Sequence, residues 1–216
     1  MFMKNLHSLL MILAGFTLLI ACSKEMSKEG TGFPTCDYAP YTTGSSFSYI
    51  DVGQKQDTTS YTLTVSGDTT IGGTTYKKVR DDSVFFCSNC KDGIYTQIAS
   101  LLTFQGYKAD NVPLTYLKET VPQGSSWQDT VNVSNGTVTT KAILQHTIVQ
   151  KGFTKTVNGK DYPDVIAVKL DASTILLDNA VPVGTVSTSY YAKGIGLIEA
   201  DQTQDTIKLV SYIIKP

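Results

Sequence analysis

Tyr61-Thr62-Leu63-Thr64-Val65-Ser66 alternates apolar and polar side chains without a break. Successive side chains of a strand point to opposite faces, so this is the pattern of a half-buried strand. Just beyond it, Gly72-Gly73 lies between Asp68–Ile71 and Thr74–Arg80. The same punctuation recurs. Asp92-Gly93 separates Ser83–Lys91 from Ile94–Ala99, and Asn135-Gly136 separates Ser126–Ser134 from Thr137–Gln150. Asn158-Gly159 separates Phe153–Val157 from a run beginning near Lys160. Such dipeptides suit type I′ hairpin turns, which need positive φ at both central residues. Short turns of this kind pair each strand with its sequence neighbour. The fold class is therefore all-β, a large twisted antiparallel sheet, mostly up-and-down. It can curl into a half-barrel, close into a barrel or split into a sandwich.

Val165–Leu170, Val186–Ala192 and Thr206–Ile214 complete the strands. The last carries Ile207, Leu209 and Ile213 on one side and Val210, Tyr212 and Ile214 on the other. That pattern predicts a strand covered on both faces or lining an apolar concavity. Pro113, Pro122, Pro163 and Pro182 are expected at strand starts, edges or loops, because proline donates nothing to a ladder. Only Ile98–Phe104 and Ser173–Leu177 leave room for a short helix.

The 216 residues carry 18 Lys and Arg against 19 Asp and Glu, a formal net charge of −1. A nucleic-acid surface would be basic, so nucleic acid is not an expected partner. There are 2 histidines, His7 and His146. Ser-His-Asp and Cys-His nucleophiles need a His with an orienting partner, and a multi-His zinc site needs several. No catalytic residue, metal ligand or cofactor site is assigned. His146 falls in phase with Leu144 and Ile148 and reads as a hydrogen-bonded core or lining residue. Asp81-Asp82 reads as a solvated turn, since adjacent carboxylates in a strand face opposite ways.

Lys4 precedes an apolar run, Leu9 to Ala21, broken by Gly15 and Thr17. That run is short for a membrane span and has the plan of a secretory signal. It ends in Leu19-Ile20-Ala21-Cys22, which resembles the lipobox of bacterial lipoproteins. The resemblance implies cleavage before Cys22 and acylation of that cysteine, hence a membrane partner through an N-terminal lipid. Ser23 resembles the default that sends such proteins to the outer membrane, on a face the residues do not specify. Residues 1–21 are then a lipoprotein signal peptide, 22–35 a lipidated flexible linker and 36–216 a single all-β domain. Loss of the signal, with Lys4, takes the net charge to −2.

Tyr190-Tyr191-Ala192-Lys193-Gly194-Ile195-Gly196-Leu197-Ile198, with Val157–Lys160, Leu209–Tyr212 and Ile71–Lys77, resembles a pattern of uncharacterised β-rich outer-membrane lipoproteins of Gram-negative bacteria. That resemblance implies no activity. Gly194-Ile195-Gly196 lacks the third glycine and the helix of a dinucleotide site and reads as a bend between strands. Asp57-Thr58-Thr59, Asp68-Thr69-Thr70, Asp82-Ser83-Val84, Asp129-Thr130-Val131 and Asp205-Thr206-Ile207 resemble an O-glycosylation acceptor triplet.

With Cys22 acylated, Cys36, Cys87 and Cys90 remain. If Asp92-Gly93 is the turn, Cys87 and Cys90 point to opposite faces of one strand and cannot join. If Ser88-Asn89 were the turn, they would face each other at a separation a disulfide accepts. Asp-Gly is the better turn, so Cys36 becomes the partner. Cys90 is preferred because it lies beside the turn, and Cys87 is the other candidate. The function these residues imply is a non-enzymatic binding or structural module of the cell envelope. Its ligand is a protein, a glycan or an apolar molecule. The alternatives are a thiol-disulfide protein using Cys87 and Cys90 and, below it, a carboxylate-dependent glycan hydrolase.

Overall fold

The computed structural model describes residues 35–82, 85–104, 107–176 and 179–216. The signal segment, Cys22 and most of the linker lie outside the described residues. Twelve strands are described: β1 (Ser46–Gly53), β2 (Thr58–Ile71), β3 (Thr74–Arg80), β4 (Phe85–Lys91), β5 (Ile94–Phe104), β6 (Tyr107–Lys118), β7 (Ser126–Ser134), β8 (Thr139–Val157), β9 (Lys160–Leu176), β10 (Asn179–Ala192), β11 (Gly196–Gln202) and β12 (Asp205–Ile213). Each pairs antiparallel with its sequence neighbours, and β1 pairs with β12, so the sheet closes as an up-and-down barrel. Closure removes the open edges that would otherwise template association.

The turn residues explain the pairing. Both residues have positive φ at Gly72-Gly73, Asp92-Gly93 and Asn158-Gly159, as type I′ requires. Asn135-Gly136 differs. Asn135 turns its side chain back, and its Oδ1 accepts from the amides of Thr137 and Val138, giving a longer loop and a later start to β8. Ile98–Phe104 and Ser173–Leu176 are strand, not helix. β-Branched residues and the ladders on either side override that expectation.

Bulges reorient several strands. Ser48 pairs with Ser211 but Tyr49 with Leu209, so Val210 is the extra residue. The shift reverses the phase of β12: Tyr212 and Ile214 join Ile207 and Leu209 against the core, while Val210 and Ile213 are exposed. The expectation of a strand covered on both faces is thus corrected. Three prolines lie inside strands rather than at their ends. Pro182 and Pro163 sit beside register shifts, where a ladder donor is not required. Pro113 shares its direction along β6 with Thr115, whose amide faces β7. There the only β6–β7 pair among the described residues is Lys108 with Ser134. Pro122 is in the β6–β7 connection, as expected.

The interior is filled at both ends. One cluster joins Phe47, Tyr49, Leu63, Val65, Val79 and Phe86 to Val157, Tyr162, Val165 and Leu209. A second lies around Val131, Val133, Ala142, Leu144 and Ala172, and a third around Tyr38, Tyr95, Leu117, Ile148 and Ile166. The hairpin tip between β8 and β9 is fixed by Asn158, whose Nδ2 donates to the Leu209 carbonyl at 2.9 Å.

Candidate functional site: a cavity at the barrel waist

Inward-pointing residues of five strands line a cavity of about 130 Å³. Gln97 comes from β5, Leu114 and Tyr116 from β6, His146 from β8, Val168 and Leu170 from β9, and Ser187, Ser189 and Tyr191 from β10. Period-two alternation accounts for most of these positions. Tyr116 needs one further step. Tyr95 pairs with Leu117 and Thr96 with Thr115, so Tyr116 is a bulge residue, and it turns inward beside Leu117. Tyr116 and Tyr191 face each other with ring centroids 5.5 Å apart. Burial raises the Tyr116 hydroxyl far above its ordinary range and holds that of Tyr191 at about 12, so both are neutral donors at physiological pH.

His146 is 4% exposed. Its ring stacks on Trp127 at 5.4 Å with planes 5° apart, the two residues being direct cross-strand partners. Nδ1 has no hydrogen-bond partner and lies 3.8 Å from Asp129 Oδ2, beyond hydrogen-bond reach. Burial first, and the Lys118 ammonium second, lower its pKa from 6.5 to about 4. The imidazole is therefore neutral at pH 7. The expected lining role is met, whereas Nδ1 lacks the hydrogen bond expected of a core histidine.

Asp129 and Trp127 also mend the weak seam. Thr115 donates its amide to Asp129 Oδ2 at 3.0 Å, and Trp127 Nε1 donates to the Thr115 carbonyl at 2.6 Å. Two side chains of β7 thus take the place of ladder bonds to β6, and in doing so they set the wall behind His146. Burial raises the Asp129 carboxyl above its ordinary pKa.

The lower pole is closed by residues 35–45, a strap across the barrel end. Cys36 is bonded to Cys90 with Cα atoms 5.7 Å apart. Tyr38 donates its amide to Tyr95 Oη at 3.0 Å, and Tyr95 Oη donates to Glu119 Oε2 at 2.5 Å. Glu119 Oε1 accepts from the amides of Thr35 and Cys36. Lys151 Nζ donates to the carbonyls of Glu119 and Val121 at 2.6 and 3.1 Å. Gly194 donates its amide to Asp37 O at 2.9 Å, and the strap runs beside Gly196, where a Cβ would make ordinary contact with Tyr38 O at 3.5 Å. A groove of about 290 Å³ runs between the strap and β3–β4. Ser88 lines it, and its hydroxyl lies 3.3 Å from the Tyr116 hydroxyl of the waist cavity.

The disulfide corrects the redox alternative: Cys90 is occupied by Cys36. Cys87 is a buried thiol whose pKa burial raises, the wrong direction for a nucleophile. The waist cavity has no carboxylate in its lining, so the two-acid hydrolase finds no pair there. Asp81 and Asp82 border a larger cleft on the outside of β2, about 740 Å³, whose walls are mostly exposed threonine and serine. Sequence reasoning missed Gln97, Tyr116, Ser187, Ser189 and Tyr191 as companions of His146. Their phase within each strand was available, but not which strands meet across the barrel.

No protein-family model matches the chain, and no curated protein matches it. Among solved structures it is similar to a Bacteroides fragilis NCTC 9343 chain named as an exported protein with a YmcC-like fold. The identity is 11% and the TM-score 0.48, over 80% of this chain and 96% of that one. It is also similar to a Parabacteroides distasonis ATCC 8503 chain named as a lipoprotein. There the identity is 12% and the TM-score 0.45, over 82% and 98% of the two chains.

Proposed function

We propose that this chain is a lipid-anchored, non-enzymatic binding module of the cell envelope, tethered through Cys22 to the outer membrane and carrying its ligand inside the barrel. The observation that carries the binding half is the waist cavity, whose lining sets Gln97, His146, Ser187 and Ser189 among tyrosine, leucine and valine side chains and holds no charged group. The outer wall supports a tether rather than insertion. Ser48 and Thr62 hydrogen-bond across β1–β2, Gln128 and Gln145 across β7–β8, and Lys169 pairs with Asp171 on β9. A membrane-spanning barrel turns an apolar band outward instead. A linker of residues 22–35 would reach at most about 50 Å from the lipid.

Fractionation tests the reading. Wild-type chain is expected in the membrane pellet, and Cys22→Ser is expected to accumulate as a longer, unacylated precursor. Normal processing of Cys22→Ser, with equal partition, contradicts it.

A further inference from the structure

We propose that the waist cavity is a binding site for a small uncharged molecule bearing an N–H or O–H donor, with the His146 imidazole as its acceptor. This deepens the reading of the barrel as a binding module and is independent of the tether. Four observations converge. The cavity's lining holds no charged side chain, so a charged guest would lose hydration without a charged partner in direct contact. His146 is 96% withdrawn from solvent, with 4% exposure, and is uncharged. A neutral imidazole has one N–H and one bare nitrogen. Nδ1 is buried, has no hydrogen-bond partner in the protein and lies 3.8 Å from Asp129 Oδ2, so the fold leaves hydrogen-bonding capacity of the ring unused. Trp127 holds one face of the ring, so its orientation is set before a guest arrives.

Size narrows the class. A cavity of about 130 Å³ is close to the roughly 150 Å³ apolar cavity that accepts benzene in another protein. The guest is therefore the size of a single small ring, about five or six non-hydrogen atoms. The hydroxyls of Ser187, Ser189 and Tyr191 offer it further hydrogen bonds, and Leu114 and Leu170 supply apolar wall. An extended glycan exceeds a space of that volume.

Pyrazole and isoxazole make the test. They match in shape and size, but only pyrazole carries an N–H donor. The intact chain, purified from membranes, is titrated with each while the nitrogen NMR signal of the His146 ring is followed. Pyrazole is expected to shift that signal saturably with Kd on the order of 1 mM, as suits so small a ligand. Isoxazole is expected to bind at least tenfold more weakly. His146→Phe keeps the stack on Trp127 and removes the acceptor, so pyrazole should lose its advantage, as read by calorimetry. Where that variant fails to fold, Ser187→Leu, which narrows the cavity from β10, should weaken pyrazole at least tenfold. The proposal is overturned by the absence of a saturable shift, by equal affinity for the two probes, or by unchanged pyrazole binding in Ser187→Leu. If acylation of Cys22 fails while the His146 shift stands, only the tether reading falls.

Discussion

His146 is neutral because burial makes its charged form costly, and that has a consequence for stability. Its folded pKa is about 4 against 6.5 unfolded. Between those values the unfolded chain binds a proton that the folded chain refuses. The stabilisation is thus complete above pH 6.5 and is lost as pH falls to 4, by about 3 kcal/mol. Denaturant midpoints at pH 7 and pH 4 should show a smaller acid loss in His146→Phe than in wild type; an equal loss in both proteins contradicts the burial argument. Asp129 and Asp205, whose carboxyls are raised by burial, titrate in the opposite sense and are common to both proteins. That His146 faces inward was legible from its phase with Leu144 and Ile148. The identity of its neighbours was not, because Trp127, Asp129 and Tyr116 reach it through a cross-strand pair, a mended seam and a bulge.

Among the elements, the strap carries the most specific expectations. The Cys36–Cys90 bridge spans a sequence separation of 54 residues, and closing such a loop stabilises by about 4 kcal/mol in the chain-entropy model. Cys36→Ser should lower Tm by roughly 10 °C for a domain of this size. A change below about 2 °C would mean that the other strap contacts hold the segment alone. Glu119 is the second fastener, accepting from the amides of Thr35 and Cys36 and from the Tyr95 hydroxyl. Charged acceptors contribute more than neutral ones, so Glu119→Gln should speed amide exchange at Thr35 and Cys36 by about tenfold. Unchanged exchange there would remove Glu119 from this role. The bridge partner was readable because Asp92-Gly93 fixes the phase of β4 and sets Cys87 and Cys90 on opposite faces. The phase of β12 was not, since nothing in Leu209-Val210-Ser211 marks the bulge that turns Tyr212 inward. Glu119 gave no signal either: the Thr35 and Cys36 amides it accepts from lie more than eighty residues away along the chain.

At the scale of the whole molecule, neighbour pairing was written in the Gly-Gly, Asp-Gly and Asn-Gly turns, but closure was not. Barrel, half-barrel and sandwich share those turns and differ only in whether β1 finds β12. Closure leaves a small uncharged cavity at the waist and a strap across the lower pole. The proposed anchoring requires that the chain be cut and acylated at Cys22. The most direct measurement is mass spectrometry of the N-terminal peptide from chain purified out of the membrane fraction. The account predicts a peptide beginning at Cys22 that carries a diacylglyceryl group, with a further acyl group on its new amine. An N-terminus elsewhere, without acyl mass, contradicts it.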